Sequence, residues 1–438
     1  MNRMGNRLLR PLTLALVLAG GQGSARAQEA AAPVIQVLPL LDELPRTAFL
    51  TGGVPSGYRT VPVRLRSLRV QPRVALEAGY DNNVRAQASD PLGSPMWRIS
   101  PQVSFNNGDA VNQITGYAQY AMTRYTRARS ENFGTFNSFA MWNRQLDPLN
   151  GVKLYGGVNR KAIDRTDIDN QDNALTPVRY WQFLANGDVV RADGPWGARL
   201  SVGLDRKLFD AAVDRNTRNV IPEATRSNSR YDVLGVVTHK ITPQIEAVAQ
   251  VEGNARRYDR LRPVGAAGQL VSADSVGYDA MAGVNIQFDR RLFGTVRAGY
   301  MAQDFRDAAF ADISGIGFKA DLLYILTPRS NLRLSAQRRI DESSSAVSIG
   351  RRRLNAQLTY THWVMPRWKL ELDGNFDQFD YGVGGRKPYG YGGELRSNFL
   401  LNRALSLTTQ ASFYQRRAGL PSDRYKGFTV LEGMELAF

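Results

Sequence analysis

From residue 70 to residue 438 the chain keeps returning to one pattern, in which apolar and polar side chains alternate over about nine to eleven residues. In "VQPRVALEAGYD" (70–81), Val70, Val74, Leu76, Ala78 and Tyr80 share one face, while Gln71, Arg73, Glu77 and Asp81 share the other. A period of two marks a strand that is apolar on one side and wet on the other. The alternation recurs in "VKLYGGVNR" at 152, "ARLSVGLDR" at 198, "NLRLSAQRR" at 331, "RLNAQLTYTH" at 353, "KLELDGNFDQ" at 369 and "LSLTTQASFYQ" at 405. Strands of soluble sandwiches are commonly about five or six residues long. Runs of this greater length match tilted strands that cross the hydrocarbon of a bilayer. The apolar face is therefore expected to meet lipid.

The connectors fall into two alternating classes. Short ones, such as "NNGD" at 106, "LDPLNG" at 146, "ADGPWG" at 192, "ITPQ" at 241, "LTPRS" at 326 and "LNRA" at 401, carry Pro, Gly, Asn and Asp at turn positions. Long ones, such as residues 164–177, 210–229 and 256–274, are polar, charged and uneven in length. Short turns at one end and longer loops at the other are the arrangement of a membrane barrel at its periplasmic and extracellular faces. Counting them gives an all-β fold, a single transmembrane antiparallel β-barrel of about 18 strands, with 16 the alternative and both ends on the tight-turn side. Trp142, Trp196, Trp363 and Trp368 lie near tight turns and Trp97 and Trp181 near long loops, where two interfacial girdles would place them.

Ahead of the barrel, Arg3, Arg7 and Arg10 precede an apolar run at 12–18, and "ARA" closes the first 27 residues. This is the layout of a cleaved secretory signal, with Gln28 as the first mature residue. Losing Arg3, Arg7, Arg10 and Arg26 lowers the formal charge from +16 to +12. Residues 28–69 are rich in Ala, Pro and Gly and read as an irregular periplasmic or lumenal segment. The barrel itself is expected over 70–438. There is no cysteine, so no disulfide framework braces an exported fold of this kind.

Within this pattern, "AGYDNNV" (78–84), followed after a polar loop by "WRISPQVSF" (97–105), resembles the outer-membrane β-barrel porin families encoded with exopolysaccharide and capsule export machinery in Gram-negative bacteria. About thirty residues carry the specific likeness; the rest resembles those families in texture, hairpin by hairpin. The resemblance implies an outer-membrane barrel that helps a secreted glycan leave the cell, working with a periplasmic polysaccharide-export protein. No functional residue is carried over from it. The "YDNN" stretch also has a purely structural reading, with Asp81 to Asn83 shaping the first outer loop and Pro101 tolerated near a strand start.

Chemistry of the catalytic kind is sparse. His239 and His362 are the only histidines, no nucleophile motif accompanies them, and no enzyme activity, cofactor or resident metal is expected. Asp164, Asp167, Asp169 and Asp172 cluster in one loop. They offer oxygen ligands to calcium but lack the glycine and terminal glutamate of an EF-hand, so the loop also reads as simply solvated.

The basic charge is expected to act in two places. Arg73, Lys153, Arg199, Arg297, Lys319, Arg333, Arg339, Arg353 and Lys369 fall on polar strand faces, interspersed with Glu77, Asp205, Asp279, Asp321, Glu371, Asp373 and Glu394. Such a lumen either braces itself with cross-strand ion pairs or biases a pore toward anions. Arg256, Arg257, Arg338, Arg351, Arg352, Arg416 and Arg417 fall at loop ends, where guanidinium groups suit lipopolysaccharide phosphates or an acidic glycan. Nucleic acid is excluded as partner, because the charge is spread over many hairpins of an exported chain.

The expected function is passage: a porin-like conduit assisting exopolysaccharide export. A general diffusion porin for small, anionic solutes and a non-conducting surface-anchoring barrel are the alternatives. In the closing run "FTVLEGMELAF", Phe428, Val430, Met434, Leu436 and Phe438 share the lipid face, with Glu432 interrupting it and Leu431 breaking the inner pattern. This run is expected to close against residues 70–81. Its terminal aromatic, Phe438, resembles the signal by which the barrel-assembly machinery recognises its clients.

Overall fold

The computed structural model describes residues 56–438 apart from 59, 110, 169, 171, 172, 265–267, 290, 344–347, 383–386 and 420–422. The expected signal (1–27) and most of the leader (28–69) lie outside the described residues.

Eighteen long strands follow one another as antiparallel neighbours. They are β1 (Leu68–Asp81), β2 (Ser94–Asn106), β3 (Asn112–Tyr125), β4 (Phe133–Gln145), β5 (Asn150–Ala162) and β6 (Arg179–Asp193). Next come β7 (Trp196–Phe209), β8 (Asn228–Lys240), β9 (Ile245–Tyr258), β10 (Ser275–Phe288), β11 (Leu292–Phe305) and β12 (Ile313–Thr327). The last six are β13 (Ser330–Glu342), β14 (Gly350–Met365), β15 (Trp368–Asp380), β16 (Tyr389–Leu400), β17 (Leu405–Arg417) and β18 (Tyr425–Ala437). Strand β1 pairs with β18 from Arg73↔Ala437 to Asp81↔Thr429, so the sheet closes on itself. Closure satisfies every edge, the condition for strands in lipid. A 13-residue strand such as β18 is about 43 Å long and, tilted, about 30 Å tall, which spans a hydrocarbon core.

Side-chain alternation sorts the two faces. Leu76, Tyr80, Val202, Val233, Val251, Tyr278, Ile316 and Leu372 are exposed on the outside, while Glu77, Asp188, Asp205, Arg297, Asp321 and Asp373 are covered on the inside. Glu432 stands on the outer face, where it accepts a hydrogen bond from Thr409 at 2.8 Å. Tight turns join the strands at the end that holds both termini, and the nine longer loops gather at the other.

Those outer loops have small cores of their own. Val84 packs with Met96, Tyr125, Ala128 and Leu431. Ile163, Ala174, Val178, Tyr180 and Ala212 form a second cluster, and Val271, Ala273, Phe310 and Ile349 a third. Leu431, the residue that breaks the inner alternation of the closing run, is 1 % exposed and supplies the apolar floor on which the first loop sits.

Three sequence expectations are corrected. Pro101 lies in the middle of β2, paired with Val74. A proline has no N–H for the ladder, and the paired register with β3 lapses between Ile99↔Met122 and Gln102↔Gln119. Trp363 pairs with Lys369 and so falls on the inner face rather than in a girdle. The segment before β1 is not wholly irregular: Val63–Leu65 folds back on the start of β1. Arg403, in the tight turn after β16, donates to the Gly57 carbonyl at 3.0 Å, placing that part of the segment on the tight-turn side.

Candidate functional site

The candidate site is the lumen, whose wall is built by every second residue of each strand. Six of the nine expected lumen cations are committed to ion pairs. Arg199 meets Asp188 at 2.8 Å and Arg73 meets Glu435 at 3.5 Å. Arg333 grips Asp321 with two hydrogen bonds, at 3.0 and 2.7 Å. Arg339 holds Asp341 at 2.5 Å, Arg353 holds Asp377 at 2.7 Å, and Lys369 lies 3.3 Å from Glu371. Arg396 gathers Glu371, Asp373 and Glu394 around one guanidinium. Arg339–Asp341, Lys369–Glu371 and Arg396–Glu394 lie along one strand and the other pairs cross between strands; both kinds fix side-chain positions on the wall.

The other three differ. Arg297 is buried and donates to Gln250 at 2.6 Å and to Thr295 at 3.1 Å. Lys319 stands directly opposite Arg297 in the ladder, and neither Lys319 nor Lys153 has an ion-pair partner among the described residues. Like charges facing each other across a ladder are unfavourable, and the carboxylates of Asp321, Glu252 and Glu246 near this spot of the wall offset the opposition.

Of the seven arginines expected at loop ends, three point inward. Arg256 is 9 % exposed and pairs with Glu342 at 2.8 Å. Arg351 stacks over Phe379 and Tyr381, and Arg416 over Tyr425. These three do not face lipid. Arg257, Arg338, Arg352 and Arg417 take the opposite face; Arg352 is bound to Asp380 at 3.0 Å and Arg257 lies 3.7 Å from Asp274.

The extracellular mouth is narrowed by contacts between distant strands. Glu342, at the end of β13, meets Lys207 of β7 at 3.4 Å and Arg256 of β9. The loop after β5 reaches β17 and β18, where Thr166 accepts hydrogen bonds from Arg416 and, at 3.2 Å, from the Tyr425 hydroxyl. Beside this, Glu131 ties four outer loops together. It is 1 % exposed and receives Arg85 at 3.2 Å, Arg165 at 2.8 Å and Arg215 at 2.9 Å. Burial, and next the nearby Arg85 guanidinium, pull Arg215 below its usual value, against the attraction of Glu131. A cavity of about 40 Å³ lies under this knot, lined by Val84, Arg98, Glu131 and Arg165 among others. Nothing in the sequence singles out Glu131, because its partners come from three separate loops.

His362 faces outward, its Nδ1 2.8 Å from the Ser330 hydroxyl; His239 packs on Trp196. Asp164 accepts hydrogen bonds from Thr166 within its own turn at 2.8 and 2.9 Å, while Asp169 and Asp172 lie outside the described residues. Among the described residues no cluster of carboxylates or imidazoles is arranged to hold a metal ion.

No curated protein matches the chain. Among solved structures it is similar to the outer membrane protein opdK from Pseudomonas aeruginosa, at 12 % identity and a TM-score of 0.42, over 84 % of this chain and 99 % of that one. It is also similar to the siderophore receptor PirA from Pseudomonas aeruginosa, at 10 % identity and a TM-score of 0.41, over 84 % of this chain and 80 % of that one. Residues 55–438, nearly the whole of the chain and all of the barrel, match the family described as "Putative beta-barrel porin 2", and the chain belongs to that family of outer-membrane barrels.

Proposed function

We propose that this protein is a conduit for hydrophilic solutes across the outer membrane, reached by export through a cleaved signal. The observation that carries the reading is the closed barrel with an apolar outside and an inner wall that carries polar or charged side chains on every strand. A purely structural barrel has no need to line its interior with lysines that, among the described residues, have no ion-pair partner. Lys153 and Lys319 favour anions over cations among small solutes. Lipid and lipopolysaccharide are its surroundings, met on the outside through Arg257, Arg338 and Arg417. Assembly would run through the barrel-assembly machinery, with Phe438 as the recognised end.

The resemblance to export-associated barrels supports a second reading, in which the solute is an exported polysaccharide delivered by a periplasmic export protein at the tight-turn face. The inner faces of β3 and β4, which carry no Asp, Glu, Lys or Arg, favour it.

Conductance of the purified protein in a planar bilayer tests the conduit. Discrete current steps in potassium chloride, with a reversal potential displaced toward that of chloride, are expected. A barrel shown to be folded by its heat-dependent gel mobility, yet electrically silent, would reduce the protein to an anchor.

A further inference from the structure

The charged network stops abruptly at one sector of the wall. On the inner faces of β3 and β4 there is no Asp, Glu, Lys or Arg; the inward positions from Gln113 to Tyr125 and from Phe133 to Gln145 carry amides, hydroxyls, aromatic rings and small or apolar groups. At mid-height three inward rings adjoin. Tyr117 and Phe139 are stacked with centroids 6.2 Å apart, and Phe139 and Tyr155 follow at 5.8 Å. Facing Phe139 across to β5 is Gly157, where a Cβ would lie 2.4 Å from the Ser138 carbonyl oxygen. The backbone pairing of β4 with β5 lapses at that point, and the Ser138 hydroxyl bridges the Val158 carbonyl and amide at 2.7 and 3.0 Å in its place.

Some amides of the wall are tied to neighbours and others are open to a solute. Elsewhere on the wall Gln182 is bound to Asp205, Gln250 to Arg297 and Gln303 to Ser275. Gln119, Asn137 and Asn143, like the hydroxyls of Tyr117 and Tyr155, make no side-chain hydrogen bond among the described residues and stay accessible. They can donate and accept at once.

We propose that this wall is a binding track for a neutral oligosaccharide, a reading that rests on the conduit proposed above and names its solute class. The chemistry eliminates the other classes. An anion would be drawn to the cations of β5 and of β7–β14, and a cation would find no carboxylate on β3 or β4. An apolar solute would cover Gln119 and Asn137 without bonding them, which costs the desolvation of each amide. A sugar chain supplies apolar ring faces to the aromatic rings and hydroxyls to the amides, and successive rings about 6 Å apart along the wall suit successive sugars.

The test is block of single-channel current by maltohexaose and by chitohexaose, with calorimetric titration of both into the detergent-solubilised protein. At least one is expected to interrupt the current in a concentration-dependent way. The triple variant Tyr117→Ala, Phe139→Ala, Tyr155→Ala is expected to raise the half-blocking concentration at least tenfold while its potassium chloride conductance is not reduced. The variant Gln119→Leu, Asn137→Leu keeps the rings and side-chain volume and is expected to weaken block severalfold, which serves if the triple variant fails the heat-mobility test of folding. Conduction without block or calorimetric binding by either sugar overturns this track and leaves the conduit standing. A silent barrel that still binds sugar, with binding lost in the variants, overturns the conduit and keeps the track. Block by oligogalacturonate alone, indifferent to both variants, would move glycan binding to the cations and end the proposal.

Discussion

Asn82 and Phe428 are joined twice across the seam of the barrel. The Asn82 amide donates to the Phe428 carbonyl at 3.1 Å, and the Phe428 amide donates to the Asn82 side-chain oxygen at 2.7 Å. Beside them Asn83 donates to the carbonyls of Gln87 and Lys426 at 2.8 and 3.0 Å and accepts from the Gln87 amide at 3.0 Å. Asp81 accepts from the Asn83 amide at 2.9 Å. The Asp-Asn-Asn stretch is thus a clasp: it folds the first outer loop and fastens it to the last strand.

Replacing Asn83 with Ala should therefore destabilise the seam. Three hydrogen bonds at a residue 5 % exposed, each worth about 1 kcal/mol net, put the loss at about 2–3 kcal/mol. The temperature at which the folded gel band converts to the unfolded one should fall by several degrees. An unchanged transition would mean that the clasp shapes the loop without holding the seam.

The substitution Glu131→Gln would leave Arg85, Arg165 and Arg215 gathered around an uncharged amide. Removing one partner of a buried pair exposes the repulsion among the rest. The outer loops should loosen, read as faster protease cleavage within residues 163–178 and 210–227 on intact cells, and as larger or noisier current steps. Cleavage at the parent rate would show that the hydrophobic clusters beneath the loops hold them unaided.

Much of this architecture is legible in the chain. Strand number, the eight tight turns and the inward parity of Arg73, Lys153, Arg297 and Lys319 all follow from a period of two, which propagates from residue to residue without tertiary information. The misplacements have a common cause. Pro101 suggests a strand start because a proline ends a ladder bond, but the neighbouring ladder simply skips it. Arg256, Arg351 and Arg416 sit at loop ends, where charge suggests solvent; aromatic rings of the next strand cover Arg351 and Arg416 instead, and a carboxylate four strands along the chain holds Arg256. Glu131 and the uncharged sector of β3 and β4 exist only as relations among strands and loops, so local pattern could not show them.

Asp147, in the tight turn after β4, offers a pH signature. Hydrogen bonds from the Asn150 side chain and the Leu149 amide hold its carboxyl below the ordinary value of 3.8. A depressed folded pKa contributes stability that is complete above the unfolded value and lost as pH falls through the folded one. Between about pH 5 and about pH 3 the parent protein should lose more of its thermal resistance than Asp147→Asn does. Parallel acid profiles for the two would remove the turn from the account.

Phe438 combines two roles that one substitution separates. Its amide donates to the Pro72 carbonyl at 3.0 Å, extending the seam, while its ring stands 57 % exposed on the outer face. Phe438→Ala keeps the backbone bond and removes the ring. If the ring is what the assembly machinery reads, the variant should reach the outer membrane in reduced amounts, yet unfold at the parent temperature once there. Normal amounts with a lowered transition would assign the ring to packing.

The last prediction concerns charge in the lumen. Lys153 and Lys319 have no ion-pair partner among the described residues, whereas Arg333 and Arg353 are each bound to a carboxylate at 2.7 Å. A free cation adds its whole charge to the local potential, while a paired one is largely cancelled at distances beyond the pair. Lys153→Glu with Lys319→Glu should therefore shift the reversal potential in a salt gradient from the chloride side toward the potassium side. Arg333→Gln, by contrast, removes one partner of an ion pair and frees Asp321, a smaller change in the same direction at a cost in stability. The contrast should fade as salt rises toward 1 M, where the screening length shrinks to about 3 Å. If the double lysine variant left the reversal potential where it was, selectivity would have to arise at the narrowed mouth formed by Lys207, Arg256 and Glu342, and the same measurement on Glu342→Gln would then carry the shift.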